Sequence, residues 1–205
     1  YISVTGVQTC ALPICAHGER GHLGEHGGRD AGEAGDRHAA RPYAAGAPPT
    51  RLNGGVTTDP TLAADVDALC RLQGTFTLRS GQVSSEYFDK YLFESDPGLL
   101  RRVAEQMVPL LPEGTELLGG LELGGVPIAT MVSSLSGHPA LFVRKKAKEY
   151  GTCKLAEGPA VEGRRITLIE DVITTGGAVR DATRALREAG AIVEVVVCAI
   201  DRSPA

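Results

Sequence analysis

The fold is decided by one stretch of sequence, Ile166-Thr-Leu-Ile-Glu-Asp-Val-Ile-Thr-Thr-Gly-Gly-Ala-Val179. A β-branched apolar run, Ile166 to Ile169, leads into two carboxylates, Glu170 and Asp171, and a turn of small residues follows them. An amphipathic helical pattern then begins near Val179. This order predicts a strand, an acidic tip, a loop and a helix.

The acidic tip and the turn both point toward ligand binding. Because ligands in an open α/β sheet bind at the carboxyl ends of the strands, Glu170 and Asp171 would face the crevice and bond hydroxyl groups. The turn Thr174-Thr-Gly-Gly177 would offer hydroxyls and backbone N–H groups at a helix N-terminus, which favours a phosphate. Together these features suggest a ribose 5-phosphate. An acidic residue near a helix start is also often only a cap, and the residues alone leave both interpretations open.

The composition limits the functional classes. The 205 residues are 42% hydrophobic, which is enough for one packed domain. A net charge of −4 argues against a general binder of nucleic acid or membrane surfaces, so any basic patch must be specific. No stretch approaches the roughly 18 apolar residues of a membrane span. The five cysteines are scattered and contain no CxxC pair, which predicts reduced thiols in a cytoplasmic protein.

Residues 1–55 differ from the remainder of the chain. From Ala16 to Gly55 the sequence is rich in Gly, Ala, Arg and His and shows neither helical nor strand periodicity. We expect residues 1–55 to be disordered or non-native, and residues 56–205 to form the domain. A histidine-rich metal site in this segment is disfavoured by its mixed charges and its lack of a scaffold.

The first elements of the domain are predicted from caps and turns. Asp59 and Pro60 are typical of a helix N-cap and first helical residue, and apolar residues at helical spacing extend this helix to about Gln73, with Gly74 ending it. The next segment, 75–90, alternates like two short strands joined by a Ser-Gly turn.

Strand and helix patterns then alternate along the chain. This alternation predicts an α/β fold, a parallel twisted sheet flanked by helices, with residues 56–90 as a small N-terminal hood over the carboxyl edge of the sheet. The predicted elements are a helix from Asp96 and Pro97, a strand at Leu117–Leu121, a helix at Val126–Leu135, a strand at Ala140–Val143, a helix from Val179 to Gly190 and a strand at Ile192–Ile200.

Two further segments have open interpretations. The pair Gly124 and Gly125 between a strand and a helix lets the backbone approach a ligand, but a tight packing turn has the same sequence. The run Arg144-Lys-Lys-Ala-Lys-Glu-Tyr-Gly151 places four cations in five residues directly after a predicted buried strand. Such a run is usually a solvated face, although here it would also serve to neutralise a pyrophosphate.

The stretch from Ile166 to Val179 resembles the phosphoribosyl pyrophosphate signature of type I phosphoribosyltransferases. The resemblance implies that Glu170 and Asp171 hold the ribose 2′ and 3′ hydroxyls, with Glu170 standing where some members carry Asp. It also implies that the following loop wraps the 5′-phosphate. The residues of that loop are Val172, Ile173, Thr174, Thr175, Gly176, Gly177 and Ala178.

Two N-terminal motifs are similar to the orotate phosphoribosyltransferases within this family. The motifs are Phe76-Thr-Leu-Arg-Ser-Gly81 and Ser85-Glu-Tyr-Phe-Asp89. Their similarity implies an orotate site, and stacking rings beside a guanidinium suit a flat anion that carries a carboxylate. The orotate ligands that the resemblance implies are Arg79, Tyr87, Phe88, Thr174 and Arg202.

The basic run resembles the catalytic loop of the same enzymes. In that family Arg144, Lys145 and Lys148 would contact phosphoribosyl pyrophosphate, and Tyr150 stands where many members carry His. The loop Glu122–Ile128 would back the pyrophosphate. Because members continue beyond the position of Arg202, we expect the chain to be truncated at its C-terminus.

The resemblance implies transfer of a 5-phosphoribosyl group from phosphoribosyl pyrophosphate to orotate, giving orotidine 5′-monophosphate in pyrimidine (UMP) biosynthesis. Lys148, Glu170 and Asp171 would be the catalytic residues. Mg2+ would arrive with phosphoribosyl pyrophosphate, without dedicated protein ligands. A cytoplasmic homodimer with no nucleic-acid or membrane partner is expected. The alternatives are a transferase for a purine base and a non-catalytic regulator that senses phosphoribosyl pyrophosphate.

Overall fold

The computed structural model describes residues 59–78, 80–145 and 155–203. The helices are α1 (Leu62–Cys70), α2 (Tyr91–Ser95), α3 (Pro97–Met107), α4 (Gly125–Ser136) and α5 (Gly177–Glu188). The strands are β1 (Arg71–Thr77), β2 (Val83–Phe88), β3 (Leu117–Leu121), β4 (Ala140–Val143), β5 (Ala156–Glu157), β6 (Arg165–Ile173) and β7 (Ile192–Asp201). Within these ranges, no helix has both the length and the apolar character needed to cross a membrane.

The main sheet has five strands in the order β5-β4-β3-β6-β7. Strands β4, β3, β6 and β7 are parallel, and the short β5 pairs antiparallel with β4 at the edge. Strands β1 and β2 form a separate antiparallel hairpin. The predicted α/β architecture, a mainly parallel sheet flanked by helices, is confirmed.

The core lies on both faces of this sheet. Successive residues of a strand point to opposite faces, so Leu118 and Ile169 pack with α1 to α4 while Leu117 and Leu168 pack with α5. All four of these side chains are almost completely buried. Helices on both faces leave the carboxyl ends of the parallel strands as the edge at which loops from several elements meet.

Helix α3 begins as its sequence predicts. Asp96 is the N-cap, and its side chain accepts a hydrogen bond from the backbone N–H of Leu99 at 2.8 Å. Pro97 is the first helical residue, where its missing N–H costs nothing.

The boundaries of α1 differ from the prediction. The N-cap is Thr61, two residues later than predicted. The Asp59 carboxylate still accepts hydrogen bonds from the N–H groups of Thr61 and of Leu62, the first helical residue. The helix ends at Cys70 instead of near Gln73, and Gly74 lies within β1. Residues from Arg71 onward are in a strand because they pair with β2. Arg71 also forms ion pairs with Asp67 in α1 and with Glu86 in β2.

Three other features were not predicted. Helix α2 follows the hairpin directly, and β5 lies inside a segment expected to be loop. Strand β6 continues to Ile173, whereas the apolar run predicted its end at Ile169. The reason is pairing on one side only: the β3 register stops at Ile169, but β7 pairs with β6 as far as Ile173.

A candidate active site at the carboxyl end of β6

The predicted acidic tip is a pair of buried residues near the C-terminal end of β6. Glu170 is 8% exposed and Asp171 is 1% exposed. The sequence predicted that both carboxylates face the ligand crevice, and in the structure both side chains are buried. They are covered because β6 extends beyond β3 alongside β7, and because side chains from the N-terminal segment pack over them.

Lys90 is the residue that covers Asp171. It follows the hairpin, and its ammonium contacts Asp171 Oδ2. The other carboxylate oxygen, Oδ1, accepts a hydrogen bond from the N–H of Val172. The contact between Lys90 and Asp171 brings the end of the predicted hood to the carboxyl edge of the sheet, as the sequence indicated.

One carboxyl of the pair is protonated and the other is ionised near neutral pH. Burial, and then the hydrogen bond and charge of Asp171, raise the pKa of Glu170 to about 8. Burial also opposes the charge on Asp171, but hydrogen bonds from Glu170 and Lys90 hold its pKa below the ordinary value. Asp171 therefore carries the negative charge and Glu170 the proton, an arrangement that suits accepting and donating hydrogen bonds with sugar hydroxyls.

The glycine pair between β3 and α4 is explained by packing. A Cβ at Gly125 would overlap the backbone carbonyl oxygen of Ile169, and a Cβ at Gly124 would overlap the Asp171 carboxylate. The packing alternative is therefore sufficient for both glycines. Their fit brings the loop between β3 and α4 directly against the acidic pair, so its predicted role behind a pyrophosphate stays a prediction.

The predicted phosphate loop connects β6 to α5. Gly176 has φ +69°, a left-handed conformation that favours glycine, and α5 begins at Gly177. Thr174, Thr175 and Ala178 are exposed at this helix N-terminus. Ile173 packs in the core on the α5 side, and Val172 packs on the opposite face, so these two residues would contribute through their backbone.

Arg180 braces the loop from the first turn of α5. Its Nη1 donates to the carbonyl of Thr175 at 2.7 Å, and its backbone N–H donates to the carbonyl of Gly176 at 3.0 Å. Helical side chains point back toward the N-terminus of their helix, which lets Arg180 reach a loop that precedes it. The guanidinium also adds positive charge beside the predicted 5′-phosphate position.

The predicted orotate ligands are placed in different surroundings. Arg202 is exposed, and its N–H donates to the carbonyl of Ile173 at 2.8 Å, which puts it beside the start of the phosphate loop and Thr174. Tyr87 is 44% exposed and its ring lies 5.5 Å from that of Phe76. Phe88 is half-buried and packs against the core below α1 to α4. Arg79 lies outside the described residues.

The start of the basic run is held next to the loop after β3. The N–H of Lys145 donates to the Glu122 carboxylate at 3.0 Å, and the N–H of Arg144 donates to the carbonyl of Leu155 at 2.9 Å. Nε of Arg144 is buried and meets no acceptor among the residues described. Lys148 and Tyr150 lie outside the described residues.

Sequence reasoning missed Lys90, Glu94 and Arg180. Glu94 lies on the five-residue helix α2 and is only 7% exposed. A helix this short has no periodic signal, so the pattern could not show which of its residues is buried. Arg180 was detectable, since it lies one turn after the glycines of a phosphate-binding pattern.

Comparison with known proteins identifies the family. No model of a known protein family matches the chain. An orotate phosphoribosyltransferase of Nocardioides sp. is 82% identical over 150 residues, which cover 73% of this chain and 84% of that protein. The chain belongs to the orotate phosphoribosyltransferase family. An orotate phosphoribosyltransferase of Methanocella arvoryzae is 44% identical over 129 residues, covering 63% of this chain and 74% of the relative.

Solved structures of the orotate phosphoribosyltransferase family share this fold. The Mycobacterium tuberculosis enzyme in complex with Fe(III) dicitrate is 33% identical with a TM-score of 0.62, and the match covers 68% of this chain and 82% of that chain. The same enzyme in complex with 5-phospho-alpha-D-ribosyl 1-diphosphate is 30% identical with a TM-score of 0.58, and the match covers 68% of this chain and 80% of that chain. The predicted family and fold are therefore confirmed.

Proposed function

We propose that the chain transfers the 5-phosphoribosyl group from phosphoribosyl pyrophosphate to orotate, giving orotidine 5′-monophosphate and pyrophosphate in UMP biosynthesis. The observation that carries the proposal is the meeting of the acidic pair, the phosphate loop and the start of the basic run at one edge of the sheet. Family membership supplies the reaction class and the substrates.

The acidic pair would bind the ribose. Asp171 accepts from one hydroxyl, and Glu170, which holds a proton near neutral pH, exchanges hydrogen bonds with the other. Breaking the bond at C1 gives the sugar oxocarbenium character, so negative charge close to the ring stabilises the transition state. The exposed backbone N–H groups and hydroxyls from Thr174 to Ala178 would hold the 5′-phosphate and fix the sugar for in-line attack.

The basic run would stabilise the leaving pyrophosphate. Arg144 offers a buried Nε without an acceptor in the described part of the chain, and Lys145 is exposed beside it. Lys148, together with Tyr150, is proposed to complete this site, with Lys148 closest to the developing charge. Cations fixed around a leaving group act mainly by electrostatic stabilisation, which needs no proton transfer.

Mg2+ is proposed to accompany the diphosphate of the substrate. Among the residues that the structure describes, no group of three or more His, Cys, Asp or Glu side chains is arranged to hold a metal. The cation would be held mainly by diphosphate oxygens and water. When bound, the cation neutralises charge on the diphosphate.

The orotate site is proposed at the rim where β6 and β7 end. Arg202 would pair with the orotate carboxylate and Thr174 would bond the ring, since the backbone link to Ile173 holds the two side by side. Tyr87 would stack on the ring from the hairpin, together with Phe88 and Arg79. We also propose a cytoplasmic homodimer. The two cysteines in the described part of the chain are buried thiols, which suits a reducing compartment, and the homodimer is what the family resemblance implies.

The test is the loss of orotate absorbance when Mg2+ and phosphoribosyl pyrophosphate are added to the full chain. Consumption that requires all components and gives orotidine 5′-monophosphate is expected. Lys148→Ala should reduce kcat strongly, while Arg101→Ala, on the solvent side of α3, should retain full activity. A folded protein that binds phosphoribosyl pyrophosphate but turns over a purine base, or no base, would contradict the proposal.

A further inference from the structure

Lys90 and Glu94 have no place in the binding machinery described so far, yet both contact its central carboxylate. Lys90 comes 81 positions before Asp171 in the chain and reaches Oδ2 from the start of α2. The Lys90 side chain is 31% exposed, while that of Asp171 is 2% exposed. The contact therefore ties the segment after the hairpin to the ribose-binding strand at a point that solvent hardly reaches.

Glu94 approaches the same carboxylate from one turn later on α2. It is 7% exposed, and its Oε1 has no hydrogen-bond partner within the described ranges. A Cβ at Gly124 would overlap the Asp171 carboxylate and would lie 2.6 Å from this Oε1. The Glu94 and Asp171 oxygens therefore converge on the same small space, which only glycine at position 124 leaves open.

Two carboxyls that converge in this way cannot both be ionised without a large cost. Burial, and then the charge of Asp171, raise the pKa of Glu94 to about 7, although Lys90 opposes the rise. A proton on Glu94 removes the repulsion, because its O–H can donate to Asp171 Oδ2. The charged or titratable groups that face Glu94 are Lys90 and Asp89 from its own segment, Cys70 from α1, and Asp171 from β6.

We propose that Lys90 and Glu94 are positioning residues for phosphoribosyl pyrophosphate, and that both act through Asp171. Lys90 keeps Asp171 ionised and fixes Oδ2, while the Glu94 O–H donates a second hydrogen bond to the same oxygen. Oδ1 accepts one hydrogen bond, from the Val172 N–H, and keeps a second lone pair, so Asp171 can still accept from a ribose hydroxyl through Oδ1. This inference rests on the proposed function, because it assigns Asp171 to the ribose.

The first experiment is a double-mutant cycle read by calorimetric binding of phosphoribosyl pyrophosphate to the full chain. Lys90→Met should weaken binding by about tenfold, while the same change in an Asp171→Asn background should alter it by less than about twofold. Lys90→Arg should restore most of the affinity because it restores the charge. Arg101→Met, which removes one cation from an exposed pair on α3, is the matched control and should leave binding unchanged.

The second experiment compares Glu94→Gln with the wild type at pH 6 and pH 8. The Gln amide donates to Asp171 at both values, whereas Glu94 loses its proton between them. The two proteins should therefore bind equally at pH 6, and Glu94→Gln should bind about fivefold more tightly at pH 8 because no extra negative charge faces the anionic ligand. Glu105→Gln, exposed on α3, controls for the change of charge.

Three results would overturn the inference. The first is an unchanged affinity of Lys90→Met for phosphoribosyl pyrophosphate. The second is an equal loss of affinity from Lys90→Met in the wild-type and Asp171→Asn backgrounds. The third is a ratio of Glu94→Gln to wild-type affinity that does not depend on pH. Thermal unfolding of each variant separates a binding effect from failure to fold. Because the readout is binding of phosphoribosyl pyrophosphate, these results do not depend on whether orotate is the acceptor, so failure of the inference and failure of the proposed reaction are distinguishable.

Discussion

Replacing Glu170 by Gln should stabilise the protein at alkaline pH. Burial and the neighbouring Asp171 raise the pKa of Glu170 to about 8, whereas the unfolded chain releases this proton near pH 4.5. Folding therefore takes up a proton between about pH 4.5 and pH 8. The free energy of unfolding falls as pH rises across this window, because the folded protein binds more protons than the unfolded chain.

The size of the effect follows from that difference in pKa. At about 1.4 kcal/mol for each pH unit, the ionised Glu170 costs at most about 5 kcal/mol at pH 8 and above. Water penetration and local relaxation lower the cost of a buried charge, so we expect about 2 kcal/mol. Gln has the same shape and remains neutral. Its amide oxygen can accept from the Asp171 N–H, as Glu170 Oε1 does at 3.2 Å, so Glu170→Gln should avoid the cost without leaving a cavity.

The assay is urea unfolding of wild type and Glu170→Gln at pH 5 and pH 8. The variant should equal the wild type in stability at pH 5 and exceed it by about 2 kcal/mol at pH 8. Glu105→Gln, on exposed α3, should change stability by less than about 0.5 kcal/mol at either pH. A variant whose stability follows the wild-type pH dependence would refute the assignment of the proton to Glu170.

Three other substitutions test separate parts of the structure. Gly125→Ala should cost about 2–3 kcal/mol in thermal unfolding because its Cβ would meet the fixed carbonyl of Ile169; a loss below about 0.5 kcal/mol would argue against that contact. Thr115→Val should cost about 1–2 kcal/mol because it breaks the buried 2.8 Å hydroxyl pair with Thr167, and the double Val variant should recover part of this; an unimproved double variant would contradict the reason given. Arg180→Ala should weaken binding of phosphoribosyl pyrophosphate by about tenfold without changing the unfolding midpoint. Unchanged binding would show that Arg180 does not hold the phosphate loop in its binding conformation.

Most of the elements were predictable because their signals are local. The strands Leu117–Leu121 and Ala140–Val143 match the structure residue for residue, since each is a short apolar run. The start of α3 was predictable from the Asp-Pro pair, whose capping needs no distant partner. The end of α1 was not, because residues from Arg71 onward leave the helix to pair with β2, and that partner is distant in the sequence.

The candidate site was also predictable only in part from the sequence. The acidic pair, the phosphate loop and the basic run could be proposed from sequence because each is a contiguous motif whose residue types suit its ligand. Only the tertiary structure decided that Asp171 is covered by Lys90 and crowded by Glu94, since these contacts join segments 81 and 77 positions apart along the chain. The charge state of a buried carboxyl depends on such neighbours and on its exclusion from water, and neither is encoded in the local pattern of the residues that carry it.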